Sequence, residues 1–184
     1  MKSYNAKHIR NVALVGHAGA GKTSLAEAAF YLSGHSDRLG RVADGNTICD
    51  FDPEEIRRKA SVSTAILPVE WKDVKINLLD TPGLFDFAGG MSESIRAAGS
   101  VVIAISGKSG VSVGSEKAFA AATKKGIAKL IFINKMDHDH ADFYKVFEDL
   151  KSTFGPMVCP IVVPYVVDHK VEGYVNLLEY RADA

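Results

Sequence analysis

The sequence predicts an α/β domain: a mostly parallel sheet with helices on both faces and one antiparallel edge strand. Three observations carry this. Short apolar runs alternate with helical patterns along most of the 184 residues, which is the signature of a parallel sheet covered by crossover helices. Two of the runs, Val101-Val102-Ile103-Ala104-Ile105 and Leu130-Ile131-Phe132-Ile133, are continuous rather than alternating, as strands buried on both faces are. The segments Val62–Trp71 and Val74–Asp80 alternate instead. They are joined by Lys72-Asp73 alone, which makes a hairpin, and Pro68 marks the first of them as an edge strand or a bulge.

In chain order, residues 1–10 are a polar lead-in and 11–16 the first strand. Ser24 to Leu32 is the first helix, with Leu25, Ala28, Ala29 and Leu32 on its inner face. Residues 35–60 form a long polar loop, of the kind that is functional or mobile in a compact domain. Its charged end, Glu54 to Lys59, supports one helical turn. After the hairpin and Pro82-Gly83 comes a short helix with Met91, Ile95 and Ala98 aligned. Ser115–Lys125 is a helix closed by Gly126, and 141–154 a helix stopped by Gly155-Pro156. Two further strands are expected in 158–167 and 171–180. Residues 1–157 are read as the domain core. Residues 158–184 are read as its last strand or as the start of an additional subdomain.

Composition narrows the function classes. Lys+Arg and Asp+Glu both number 22, so no net charge points to DNA or an anionic membrane as a direct partner. The apolar runs fall short of the ~20 residues of a membrane span, and Met1 to Asn5 lacks an apolar leader pattern. Cys49 and Cys159 make neither a disulfide framework nor a zinc site. A reduced, cytoplasmic protein is expected.

Three motifs each follow a strand, where ligands of such sheets bind, and are expected to line one rim. Gly16-His17-Ala18-Gly19-Ala20-Gly21-Lys22-Thr23 fits G-x-x-x-x-G-K-[ST] between a strand and a helix. Small residues let the backbone N–H groups of Gly16 to Ser24 turn toward one phosphate chain, and the helix adds its positive end. Lys22 supplies a point charge to the β- and γ-phosphates, and the Thr23 hydroxyl a ligand to Mg²⁺. Asp80 ends an apolar strand, as a carboxylate that holds Mg²⁺ through water does. Gly83, without a side chain, lets its N–H approach the γ-phosphate, so Lys22 and Gly83 are the catalytic candidates. In Asn134-Lys135-Met136-Asp137, the Asp137 carboxylate accepts both guanine donors, N1–H and N2–H₂. Asn134 takes the other base edge, and the Lys135 stem lies across the ring. Adenine would leave Asp137 unpaired, which argues against an ATP-dependent kinase.

With their flanks, among them Trp71-Lys72-Asp73, Asp86-Phe87 and Phe132-Ile133, these motifs make the chain resemble a translation-factor GTPase, elongation factor G in particular. The resemblance covers nearly the whole chain. It implies a G domain that binds GTP and GDP with Mg²⁺ and hydrolyses GTP on the ribosome, with switches at residues 36–62 and 83–90. It also places Ser61 where a Mg²⁺-touching threonine stands in the family, although Lys59-Ala60 replaces the usual Gly-Ile before it. Leu84 stands where the family carries the histidine that orients the attacking water. A final Ser-Ala guanine motif and the translocating domains are missing, so the chain is read as a piece ending where the family's inserted subdomain starts. The alternative is a guanine-nucleotide-gated ribosome-binding or ribosome-protection protein with little intrinsic hydrolysis.

Overall fold

The structure is a computed structural model and describes residues 2–167, 170–179 and 181–183. The chain forms two compact units, Met1–Ala104 with Val113–Phe132, and Ile105–Ser112 with Ile133–Ala184.

A five-stranded sheet is built on β1 (Ile9–Gly16), β2 (Ala65–Trp71), β3 (Val74–Asp80), β4 (Ser100–Ser106) and β5 (Ala128–Asn134), in the order β2-β3-β1-β4-β5; all but the last residues of β4 and β5 fall in the first unit. β1 runs parallel to β3 and to β4, while β2 is antiparallel to β3. This is the expected topology, with the antiparallel strand at an edge. Pro68 sits in that edge strand, where a missing N–H is tolerated.

Helices cover both faces. Val12 and Leu14 of β1 belong to a core cluster with Leu67, Leu78 and Ala26 of α1 (Lys22–Leu32). Ala13 and Val15, fully buried, point the other way because successive strand residues alternate. There β1 meets α3 (Ala88–Ala97) and α4 (Val113–Lys125), which bury Ile95, Ala118 and Ala122. Lys125 ties the two helices, its Nζ donating to the carbonyls of Ile95 and Ala98 at the end of α3 at 2.6 and 2.8 Å. The long polar loop is built rather than loose. It contains α2 (Pro53–Arg58), started by Asp52 in a reciprocal capping box with Glu55.

Two readings of the sequence need correction. β5 is an edge strand, not a strand buried on both faces: Leu130 and Phe132, two apart and so on one face, are 46% and 37% exposed. Its apolar run resembles that of β4, but among the described residues it has a sheet neighbour on one side only. In α1, Leu25 and Ala29 pack against the core cluster, but the most buried positions are Lys22, Thr23, Ala26 and Glu27, and Leu32 is 73% exposed. Polar side chains take the inner positions because they have polar partners there.

The second unit holds α5 (Phe143–Phe154) and an antiparallel sheet of β6 (Val162–Val167), β7 (Lys170–Asn176) and β8 (Arg181–Asp183). Asp142 caps α5, accepting from the Lys145 N–H at 3.0 Å, and Phe143, Val146 and Leu150 are buried. Of the two strands expected at this end, both form and a third follows; Tyr180, the end of the second expected strand, lies outside the described residues.

Candidate functional site

The loop after β1 passes from strand to helix in five residues. Gly19 and Gly21 take left-handed backbone (φ 72° and 91°), and Gly21 precedes α1 without any side-chain cap. The first N–H groups of the helix are thereby left for an anion. Lys22 folds back over the loop, donating from Nζ to the His17 carbonyl at 3.0 Å. It is only 6% exposed, and burial holds its ammonium below the ordinary lysine range, against the opposing pull of Asp80 and Asp50.

Gly83 is pressed against this loop. A Cβ there would lie 2.5 Å from Lys22 Nζ and 2.7 Å from Ala18 Cα and N. Only a residue without a side chain brings the backbone that close. The end of β3 is fixed by Thr81, fully buried, whose hydroxyl donates to the Leu14 carbonyl at 2.7 Å. That bond sets Asp80 beside α1.

There, Thr23 Oγ1 donates to Asp80 Oδ2 at 2.7 Å and lies 3.2 Å from Ser61 Oγ. All three side chains are buried. The other Asp80 oxygen, Oδ1, is buried with no hydrogen-bond partner. Burial pushes the Asp80 carboxyl up to about 6; the Thr23 hydroxyl and the Lys22 charge pull it back, and Asp50 pushes it further. Asp50 is a residue that sequence reasoning missed. It is 4% exposed, with both carboxylate oxygens unpartnered, and burial raises its carboxyl too, with Ser61 acting against.

Buried carboxylate oxygens without donors are costly unless a cation is shared between them. Two hydroxyls and two carboxylates are hard oxygen donors that fit Mg²⁺, which takes one or two protein carboxylates and completes its shell with water and phosphate oxygens. A closed all-protein cage is not what such an ion needs. Among the described residues no cluster of three His, Cys, Asp or Glu side chains forms one.

Leu84 leads into a short turn, Phe85–Phe87, held by the Phe87 N–H on the Leu84 carbonyl at 3.1 Å. Its side chain brings no hydrogen-bonding atom. Phe85 beside it is bracketed by the His17 ring at 5.7 Å and by Lys117 Nζ, 4.5 Å above the ring centroid.

Asn134, Lys135 and Asp137 belong to the second unit and form a group of their own. Asn134 ends β5, and its carbonyl accepts from the Gly107 N–H at 2.7 Å. Its side-chain Oδ1 accepts from the Lys135 N–H at 2.8 Å, while Lys135 turns into left-handed backbone (φ 59°). The chain reverses there, leaving Asp137 exposed. His138 and His140 follow in an exposed turn, in keeping with a polar loop.

Comparison with known proteins agrees with this geometry. Residues 7–181 match the family model for the elongation factor Tu GTP binding domain. Elongation factor G of Granulibacter bethesdensis is 36% identical over 182 residues, 99% of this chain and 26% of that protein. Mitochondrial ribosome-releasing factor 2 of Anopheles gambiae is 36% identical over 172 residues, 94% of this chain and 23% of that protein. A crystal structure of a Thermus thermophilus protein superposes with a TM-score of 0.90 at 38% identity, covering 95% of this chain and 26% of the other. The chain spans about a quarter of the length of these relatives. By its family match, its parallel sheet and the phosphate loop at the end of β1, the chain belongs to the elongation factor Tu GTP-binding domain family, as an elongation factor G-like member.

Proposed function

We propose that this chain is the GTP-binding domain of a translation factor that hydrolyses GTP to GDP and phosphate in a ribosome-dependent step, translocation or a related one. The observation that carries the reading is the Thr23–Asp80–Ser61 cluster, with Asp80 Oδ1 unpartnered, directly behind a buried lysine. In this reading the amides from Gly16 through Ser24, by way of His17, Ala18, Gly19, Ala20 and Gly21, grip the phosphates. Thr23 would ligate Mg²⁺, with Asp80 behind a water and Ser61 joining in the GTP state. When bound, Mg²⁺ would neutralise charge on the phosphates. Lys22 adds its charge to the same oxygens, and the Gly83 N–H meets the γ-phosphate. Asn134 and Asp137 read guanine, with Lys135 along the ring. Residues 1–157 act as the core and 158–184, with their separate sheet, as the start of an inserted subdomain. The working place is the cytoplasm, on the ribosome, without membrane or direct DNA contact; no helix among the described residues is long and apolar enough to cross a membrane.

A second reading, a nucleotide-gated ribosome-binding or ribosome-protection protein with little hydrolysis, is favoured by Leu84. Leucine can neither donate to nor accept from an attacking water. GTP turnover by the intact protein, with and without ribosomes, separates the two: ribosome-stimulated turnover supports the first, and nucleotide binding without turnover the second. Leu84→His is expected to raise ribosome-stimulated turnover about 100-fold, the scale of a positioned proton-transfer group. An unchanged rate would assign water positioning to another residue.

A further inference from the structure

We propose that Glu27 and Glu55 are positioning residues, two buried carboxylates that hold the switch segment by its backbone so that Asp50 and Ser61 are delivered to Thr23 and Asp80. Glu27 lies one turn beyond Thr23 on the same face of α1. It is 2% exposed, and its Oε1 accepts from the N–H groups of Ile48 at 2.7 Å and Cys49 at 3.0 Å. The next residue is Asp50. Glu55, 3% exposed, does the same on the other side: its Oε1 accepts from the N–H groups of Val62 at 3.0 Å and Ser63 at 3.1 Å, directly after Ser61. Its Oε2 accepts from the Asp52 N–H at 3.3 Å. Each carboxylate therefore grips two consecutive amides next to one oxygen of the candidate Mg²⁺ pocket.

Gly40 shows how closely the segment is drawn in. A Cβ there would collide with the Glu27 carboxylate and lie 2.9 Å from Thr47 Cα. Among the described residues neither glutamate has a basic partner within ion-pair distance. A buried carboxylate without a counter-ion is a poor device for stability alone. Its return here is a fixed backbone, since charge-assisted bonds to amides are stronger and more directional than neutral ones. The segment is thus pre-arranged for the γ-phosphate state by contacts that do not involve the nucleotide.

The inference rests on the guanine-nucleotide reading above, and the test separates the two. Fluorescent GDP and a fluorescent non-hydrolysable GTP analogue are titrated into the 184-residue chain with Mg²⁺, for wild type, Glu27→Gln and Glu55→Gln, and amide exchange is followed at residues 48, 49, 62 and 63. In both variants GDP affinity is expected to stay within about threefold of wild type, while affinity for the GTP analogue falls about tenfold, the loss for weakened charged hydrogen bonds. Amides 48 and 49 should exchange faster in the first variant, and 62 and 63 in the second. Equal weakening of both nucleotides, or of neither, would overturn the proposal, because a merely structural role does not discriminate between them. Should Glu27→Gln fail to fold, Glu55→Gln, placed outside the helix that carries the phosphate loop, decides alone by the same split. A wild-type chain that binds neither nucleotide would defeat the nucleotide reading itself, and this inference with it.

Discussion

Asp137→Asn is expected to lower affinity for GDP and GTP by about 10³- to 10⁴-fold and to create affinity for xanthosine diphosphate. The reasoning is an inventory of donors and acceptors. Guanine offers two donors side by side, N1–H and N2–H₂, and a carboxylate accepts both. An asparagine amide offers one acceptor and one donor, so a donor faces a donor. Sites built on such bonds reject a mismatched partner by roughly 10⁴. Xanthine carries a carbonyl at C2 in place of the amine, and the amide donor then finds an acceptor. The change is not expected to disturb the fold. Asp137 is exposed and precedes an exposed turn, so its charge serves no packing role. Competition titration with guanosine and xanthosine diphosphates measures both halves of this outcome. Unchanged guanine affinity would remove Asp137 from the base site.

Lys22→Met is expected to lower nucleotide affinity about 100-fold or more without lowering the melting temperature by more than about 4 °C. Lys22 is buried, and its ammonium is held below the ordinary range by desolvation, which outweighs the attraction of Asp80 and Asp50. An ammonium in such a place costs stability, and methionine of similar length removes that cost, offset in part because Asp80 and Asp50 lose its attraction. Phosphate binding moves in the opposite direction, since a desolvated point charge is lost from the anion site; truncating such a charge costs several kcal/mol. The His17 carbonyl also loses its donor, a penalty of about 1 kcal/mol, or 2–4 °C for a chain of this size. Thermal melts without nucleotide, set beside nucleotide titrations, check the pair. A large fall in melting temperature with affinity intact would make Lys22 a structural residue.

The candidate site was read from the sequence where chemistry dictates residue type at fixed spacing. The phosphate loop needs small residues and then Lys-Thr. Asp80 needs a strand end, and Asn134 and Asp137 a turn after another strand. Each of these is local, and the mostly parallel sheet follows from alternation. The parts that were missed depend on long-range contact. Asp50, Glu27 and Glu55 are acids in polar or helical surroundings, and no spacing motif marks them. What buries Glu27 is a bond to amides 21 and 22 residues away, at Ile48 and Cys49. Periodicity placed Leu25 and Ala29 of α1 correctly and Leu32 wrongly, and it could not flag Glu27, whose partners come from the packed loop. The edge position of β5 was likewise invisible, because an apolar run carries no information about how many sheet neighbours the strand has.

Equilibrium titration of the chain with fluorescent GDP and ADP, in millimolar Mg²⁺ and in excess chelator, tests the central claim most directly. GDP is expected to bind at least about 10³-fold more tightly than ADP, and tight binding is expected to need the metal. Equal affinities, or tighter binding of ADP, would contradict the assignment of Asn134 and Asp137 to guanine. Indifference to Mg²⁺ in both GDP and GTP-analogue titrations would contradict the roles of Thr23, Ser61 and Asp80.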